Sequence, residues 1–264
     1  MDVLAIIKPG WHFPVIISLG QWHIPIHPVC DMLAYFLGFQ LYLFLKRRSP
    51  GPRISWEQNA WILVGCIFGA LIGAKLLAWM EAPGLYWAIR NDPNFWFAGK
   101  TIVGGLLGGW IGIEIAKKAL GIFSSTGDLC VYPVILGMCI GRIGCFLTGL
   151  SDNTCGIRTE FPWGVDYGDG IPRHPAQIYE ILFLIALGAV LWIKRSSLAT
   201  PGLKFRWFMV GYLSFRFHID FFKPHWTLFG GLSGIQWGCL LALIFCAYSL
   251  GKLSEQPATE NTHG

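Results

Sequence analysis

Long apolar stretches recur along the chain, and shorter polar segments separate them. A helix needs about 20 apolar residues to cross the hydrocarbon core of a bilayer, and seven stretches are long enough. The pattern therefore predicts an all-α, polytopic membrane protein that forms a single integral membrane domain over residues 1–264. A further apolar segment at 13–20 is too short to span and is expected to lie in the interface or to re-enter the membrane. The predicted spans cover residues 28–46, 58–79, 97–117, 128–149, 174–193, 206–222 and 231–251.

Basic residues are concentrated in every second connecting loop. The segments after the first, third, fifth and seventh spans hold eleven lysines and arginines, whereas the segments on the other side hold five. Because cytoplasmic loops carry the excess of Lys and Arg, this asymmetry predicts an outside N-terminus and a cytoplasmic C-terminus. The longest outer loop is then 150–173, between the fourth and fifth spans.

Composition agrees with a membrane protein, and the charge and cysteine patterns give no sign of nucleic-acid or metal binding. Of the 264 residues, 54% are hydrophobic and 13% are charged, which is about half the charged share of a soluble domain. The net charge of +5 comes from short clusters between the spans, so the sequence gives no sign of nucleic-acid binding. The eight cysteines form no C-x-x-C pair and show no metal-ligand spacing, and no metal or organic cofactor is predicted.

Ionisable side chains within the apolar stretches are candidate functional residues. A charge at the membrane centre costs on the order of 2.5–3.5 kcal/mol on insertion scales, so such residues face protein or water and pair with one another. For Lys75 and Glu114 the alternative interpretation is a structural salt bridge, or a side chain that reaches out of the membrane near a helix end. The full set in the membrane zone is Lys75, Lys100, Arg142, Arg216, Asp31, Glu114, Glu180, His218 and Asp220.

The first polar pattern is GRIGCFLTG at 141–149, near the predicted outer end of span four. Its glycines, Gly141 and Gly144, let a helix end approach another backbone or a phosphate. Arg142 supplies a permanent charge and a fork of donors that matches phosphate oxygens. The pattern therefore indicates an anion-binding position at headgroup depth.

The second polar pattern is RHPAQIYE at 173–180, where span five begins. Pro175 suits the first turn of a helix. Gln177 and Glu180 then share one face at i, i+3 spacing. A helix N-terminus with polar side chains favours an anion.

The third pattern is GYLSFRFHIDFFKP at 211–224, in which Arg216 and Asp220 are i, i+4 neighbours. A purely structural ion pair is the alternative interpretation here. If all three patterns meet, Arg142 and Arg216 converge beneath the outer headgroups. Such a site would hold the phosphate of a phospholipid.

These segments resemble the prolipoprotein diacylglyceryl transferase family, over about residues 30–250. The resemblance is carried by GRIGCFLTG, DYGDGIPRHPAQIYE and GYLSFRFHIDFF. It implies a seven-helix enzyme of the bacterial inner membrane with its active site toward the periplasm. Such an enzyme transfers a diacylglyceryl group from phosphatidylglycerol to the lipobox cysteine thiol of a secreted lipoprotein precursor and releases glycerol-1-phosphate.

The resemblance also implies roles for particular residues of this chain. The implied catalytic residues are Arg142, Arg216, His174 and Asp220. The implied substrate-binding residues are Arg142, Gly141, Gly144, Gly104, Gly105, Arg173, Gln177, Tyr179, Glu180 and Lys100.

The sequence departs from the family pattern close to the implied site. Val103 stands where the family has a histidine before its glycine pair, and Cys145 replaces an asparagine. The family glutamate after G-R-x-G is not evident, although Asp152 is near, and the family tyrosine at the start of span one has no clear match. The acceptor must lose its proton, since the thiolate is the nucleophile. The groups that remain to assist this step are His174, Asp31 and Lys100.

Several alternatives stay open from sequence alone. One is a diverged paralogue that uses another acceptor, and another is a non-catalytic protein that binds or transports phospholipid. Inverted repeats would favour transport, and the sequence shows none. Cys145 is an inert thiol, a disulfide partner of Cys155 or a carrier of the transferred group.

Overall fold

The computed structural model describes residues 13–19, 21–49, 54–92, 95, 99–224 and 227–254, and these residues are mainly helical. Two short antiparallel hairpins accompany the helices: β1 (Ile16–Leu19) pairs with β2 (Trp22–Pro25), and β3 (Val165–Asp166) with β4 (Pro172–Arg173). The helices are α1 (Ile26–Arg48), α2 (Trp56–Glu81), α3 (Pro83–Ala88), α4 (Ile102–Ala119), α5 (Val131–Thr148), α6 (Ala176–Ile193), α7 (Leu203–Ile219) and α8 (Gly234–Ser254).

Five of these helices are long and apolar enough to cross a membrane, namely α1, α2, α5 with the turn that follows it, α6 and α8. The prediction of a helical, polytopic membrane protein is therefore confirmed. Helices α4 and α7 lie where the third and sixth spans were predicted, but α4 carries three charged residues near its end and α7 has 17 residues. The count of seven spans and the orientation of the termini stay predictions.

Several element boundaries differ from the sequence-based ones. The segment at 13–20 contributes a strand to the first hairpin. Helix α4 begins at Ile102 rather than at 97, with the Thr101 side chain accepting a hydrogen bond from the Gly104 amide; residues 96–98 lie outside the described residues. Pro175 caps α6 instead of lying in its first turn. The short helix α3 was not predicted, because its six residues are too few to give a periodic pattern.

The helices fall into two compact units. In the first unit, which includes residues 127–199, α5 packs against α1 and α6. In the second, α2 packs against α4 and α7 against α8, while α8 also contacts α2 and α4. The prediction of one integral membrane domain stays a prediction.

Glycines at four-residue spacing bring α2 and α4 into backbone contact. A Cβ added to Gly108 would lie 2.1 Å from the carbonyl oxygen of Gly69, and one on Gly69 would lie 2.2 Å from that of Gly108. Small residues at this spacing let membrane helices gain close packing. The glycines in this seam are Gly65, Gly69, Gly73, Gly104, Gly108 and Gly112.

Replacing Gly108 with alanine is expected to destabilise the protein by about 1–3 kcal/mol, because the new methyl group must push two backbones apart. The matched control is Gly109→Ala on the same helix, whose added Cβ would stay 3.5 Å from its nearest neighbours. The measurement is the free energy of unfolding in detergent micelles. Equal stabilities for the two variants would show that the seam tolerates a wider helix separation.

Candidate active site

Arg142 is buried in α5 and forms an ion pair with Glu180 of α6. The Nε of Arg142 lies 2.8 Å from Oε2 of Glu180, and the two side chains are 4% and 0% exposed. In a low-dielectric interior such a pair persists only with good geometry and further hydrogen bonds. Sequence reasoning identified both residues but did not predict that they are partners.

Arg216 lies in the last turn of α7 and faces Asp220, with Nη2 3.4 Å from Oδ1, which confirms the predicted i, i+4 pair. The residue is 6% exposed. Among the described residues, its Nε and Nη1 have no hydrogen-bond acceptor. Because buried donors are normally satisfied, two open nitrogens on one guanidinium mark a place suited to an anion.

Asp220 also connects α7 to the start of α8. Its Oδ2 accepts a hydrogen bond from the hydroxyl of Ser233. Ser233 and Gln236 exchange side-chain and backbone hydrogen bonds as a capping box for α8. Sequence reasoning missed these two residues, although the S-x-x-Q spacing before an apolar stretch is a readable signal.

The loop at 150–173 folds back onto the start of α6. Gln177 is fully buried; its amide nitrogen donates to Thr154 Oγ1 at 3.0 Å, and its carbonyl oxygen accepts from the Tyr167 hydroxyl at 3.2 Å. Burial raises the pKa of Tyr167, so this hydroxyl stays a donor. The side chain of Gln177 thus holds the loop in place.

Arg173 is occupied within the same loop. Its Nη1 donates to Asp169 Oδ1 at 2.7 Å. This hydrogen bond lowers the pKa of Asp169 and raises that of Arg173. Arg173 therefore has a structural partner in the tight turn between β3 and β4.

His174 is buried in an aromatic setting. Its Nδ1 lies 3.1 Å from the Tyr179 hydroxyl, which accepts a hydrogen bond from Trp163 Nε1 at 2.8 Å. The imidazole ring contacts the rings of Phe161 and Phe222. Because the Tyr179 hydroxyl accepts from Trp163, its own proton is available to His174 Nδ1.

Four further polar side chains meet where α1 begins and α5 ends. His27 Nδ1 lies 3.1 Å from Asp31 Oδ2, while its Nε2 lies 3.5 Å from Cys145 Sγ and 3.3 Å from Asp152 Oδ1. Nη1 of Arg142 lies 3.7 Å from the same sulfur. Sequence reasoning missed this grouping because His27 and Cys145 are 118 positions apart. The one local signal was the i, i+4 spacing of His27 and Asp31.

A family model described as prolipoprotein diacylglyceryl transferase matches residues 14–251. The chain belongs to this family. Three relatives, each named phosphatidylglycerol–prolipoprotein diacylglyceryl transferase, are similar over most of their length. The relative from Polynucleobacter asymbioticus is 32% identical, covering 91% of this chain and 96% of the relative. The relative from Nitrosomonas europaea is 31% identical, covering 93% of both chains, and that from Geobacter sulfurreducens is 31% identical, covering 76% and 80%.

The glycines implied by resemblance to the diacylglyceryl transferases have two kinds of surroundings. An added Cβ would meet nothing within 4 Å at Gly141 and would stay 3.8 Å from its neighbours at Gly105. At Gly104 it would lie 2.2 Å from the Gly73 carbonyl oxygen, and at Gly144 2.7 Å from Cys30 Cβ. Helix packing therefore accounts for Gly104 and Gly144, whereas an added Cβ would be tolerated at Gly105 and would meet open space at Gly141.

Lys100 is the last of the implied site residues, and Val103, Cys145 and Cys155 are the positions that the sequence left in question. Lys100 is exposed and close enough to Lys75 for mutual repulsion. Val103, which the resemblance places at a family histidine, is 1% exposed in α4. Cys145 and Cys155 are free thiols, so the disulfide between them is not formed.

The two arginines are positioned by different parts of the fold. Arg142 belongs to the first unit and Arg216 to the second. Their predicted convergence on one phosphate stays a prediction, as do the catalytic roles of His174 and Asp220.

Proposed function

We propose that this protein transfers a diacylglyceryl group from phosphatidylglycerol to the lipobox cysteine thiol of a secreted lipoprotein precursor and releases glycerol-1-phosphate. The observation that carries the proposal is the buried guanidinium of Arg216, whose Nε and Nη1 have no acceptor among the described residues. Such donors match phosphate oxygens in charge and geometry. Membership of the family, and relatives named for this reaction, support it over lipid transport or a purely structural role.

In this mechanism the arginines bind and stabilise phosphate. Arg216 and Arg142 each act as phosphate ligands, with Glu180 and Asp220 fixing the guanidinium orientations. The acceptor thiolate attacks the glyceryl carbon that bears the phosphate, the carbon–oxygen bond breaks, and its electron pair leaves on the phosphate oxygen. Preorganised positive charge at that oxygen contributes several kcal/mol to lowering the barrier in a dry site.

The proposed location is the bacterial inner membrane, with the loop at 150–173 and the reacting groups on the periplasmic side. The distribution of Lys and Arg among the loops supports this orientation. The apolar helices support residence in the bilayer, and lipid therefore reaches the site from the membrane. The partners in this proposal are phosphatidylglycerol and lipoprotein precursors.

The direct test is transfer of radiolabelled diacylglycerol from phosphatidylglycerol to a lipobox peptide by the purified protein in nanodiscs. We expect a thioether-linked lipopeptide and an equal amount of glycerol-1-phosphate. A peptide with serine in place of the acceptor cysteine is the control and should stay unlabelled. Rescue of a strain depleted of its only diacylglyceryl transferase gives an independent readout. Folded protein that gives neither product nor rescue would refute the proposal.

A further inference from the structure

His27, Cys145 and Asp152 place one nitrogen, one sulfur and one oxygen within 4.8 Å of one another. In a tetrahedral zinc site, the usual bond lengths separate a nitrogen from an oxygen by about 3.3 Å and a nitrogen from a sulfur by about 3.6 Å. The corresponding distances from His27 Nε2 are 3.3 Å to Asp152 Oδ1 and 3.5 Å to Cys145 Sγ. Two of the three separations thus match ligands of one ion, and the third, between Cys145 Sγ and the Asp152 carboxylate, is within 4.8 Å.

The partners around the three side chains also fit a metal site. Asp31 Oδ2 lies at the other ring nitrogen of His27, at 3.1 Å, which is how carboxylates orient metal-binding histidines. Thr154 Oγ1 donates to Oδ2 of Asp152 at 2.7 Å and leaves Oδ1 facing His27. Nη1 of Arg142 lies 3.7 Å from the sulfur.

With its Nδ1 proton held by Asp31, a neutral His27 presents the Nε2 lone pair to the thiol and the carboxylate, which is the donor that a metal ion needs. Charge points the same way, because the carboxylates of Asp31 and Asp152 lie on either side of the His27 ring. A divalent cation bound by all three donor atoms satisfies the geometry and offsets the negative charge of these carboxylates.

We propose that His27 Nε2, Cys145 Sγ and Asp152 Oδ1 bind one Zn²⁺ ion. Three protein ligands with an open fourth position are the arrangement of catalytic zinc sites, whereas structural sites have four. The site has an accessible side, since the side chains of His27, Asp31 and Asp152 are 27%, 44% and 19% exposed. Cys145 closes the other side and is buried.

The open position takes the acceptor thiol, an assignment that rests on the proposed function. The sulfur of the acceptor bonds to zinc, its S–H bond breaks, and the proton passes to water. Zinc-bound thiols are deprotonated outright, so the resulting thiolate is ready to attack the glyceryl carbon.

The first test is metal binding by the full-length protein in detergent, without lipid. After chelation and reloading, we expect about one Zn²⁺ or Co²⁺ per chain, with a thiolate-to-cobalt charge-transfer band in the Co²⁺ form. Cys145→Ser should lose the band and bind Zn²⁺ at least about 100-fold more weakly. Asp31→Asn should bind about 10–100-fold more weakly but keep the band, because only the orientation of His27 is affected. Cys66→Ser removes a thiol on α2 outside the cluster and should match the wild type.

The second test adds a lipobox peptide to the Co²⁺ form. A shift of the charge-transfer band with the cysteine peptide, and none with its serine analogue, would support coordination at the fourth position; no shift would overturn that role. Equal metal content in the wild type and in a folded Cys145→Ser variant would overturn the site itself. Metal and thiol binding without lipid transfer would support the site and refute the proposed function.

Discussion

Arg216→Gln is expected to lower the rate of diacylglyceryl transfer by at least about 100-fold, the loss typical when one donor to a developing oxyanion is removed. Glutamine keeps a polar group in the buried position but lacks the charge and the fork of donors that phosphate requires. Asp220 retains its hydrogen bond from Ser233 in the variant, so the link between α7 and α8 is preserved. The measurement is kcat with labelled phosphatidylglycerol and a lipobox peptide, on protein shown to be folded.

Two companion variants make this result specific. Arg216→Lys keeps the positive charge but replaces the planar guanidinium, with its two parallel donors, by a compact ammonium group. Its transfer rate should therefore fall between those of the wild type and Arg216→Gln. Arg206→Gln is the matched control on the same helix, since Arg206 bonds Ser249 and is predicted to lie at the cytoplasmic end. A wild-type rate for Arg216→Gln would remove the main support for phosphate binding at this position.

Local spacing made parts of the fold and of the site predictable from sequence. Bilayer thickness fixes the length of a span, so apolar stretches located the main helices to within a few residues. The Arg216–Asp220 pair was equally predictable from sequence, because i, i+4 neighbours on a helix face each other. The four-residue glycine spacing of α2 and α4 was not identified from the sequence, and which helices it would join depends on packing that periodicity does not encode.

Pairings between distant segments could not be predicted in this way. The ion pair of Arg142 with Glu180 and the approach of His27 to Cys145 depend on which helices pack together. Cysteine spacing therefore gave no metal signal, since a ligand set assembled from two helices and a turn leaves no short motif.

In the RHPAQIYE segment, polar residues that the sequence suggested for substrate binding make structural hydrogen bonds. Gln177 holds Thr154 and Tyr167 of the loop at 150–173, and Arg173 holds Asp169. These contacts explain why such residues occur at the start of α6 without a substrate. A role for them in lipid binding stays a prediction that needs variants of each side chain.

Glu180→Gln is expected to destabilise the protein by about 3–5 kcal/mol, because it leaves the buried charge of Arg142 without its carboxylate. Replacing both partners by apolar residues of similar volume, as in Arg142→Met with Glu180→Leu, should recover most of that stability, since neither position then holds a buried charge. The double variant should still fail to transfer lipid, because the phosphate ligand is gone. The measurement is the free energy of unfolding in mixed micelles of Glu180→Gln, of the two single variants, Arg142→Met and Glu180→Leu, and of the double variant. The difference between the double variant and the sum of the single variants gives the coupling energy between the two residues.

The pair Glu114–Lys117 on α4 is the control for this cycle. Its distance is similar, at 3.0 Å, and the Lys117 side chain is also buried, at 5% exposed, but the Glu114 side chain is 56% exposed. Glu114→Gln should therefore destabilise the protein less than Glu180→Gln, because the carboxylate that it removes is already solvated. If Glu180→Gln costs no more than this control, the buried pair does not stabilise the fold. A double variant that regains stability and also transfers lipid would show that Arg142 serves α5–α6 packing and not the phosphate.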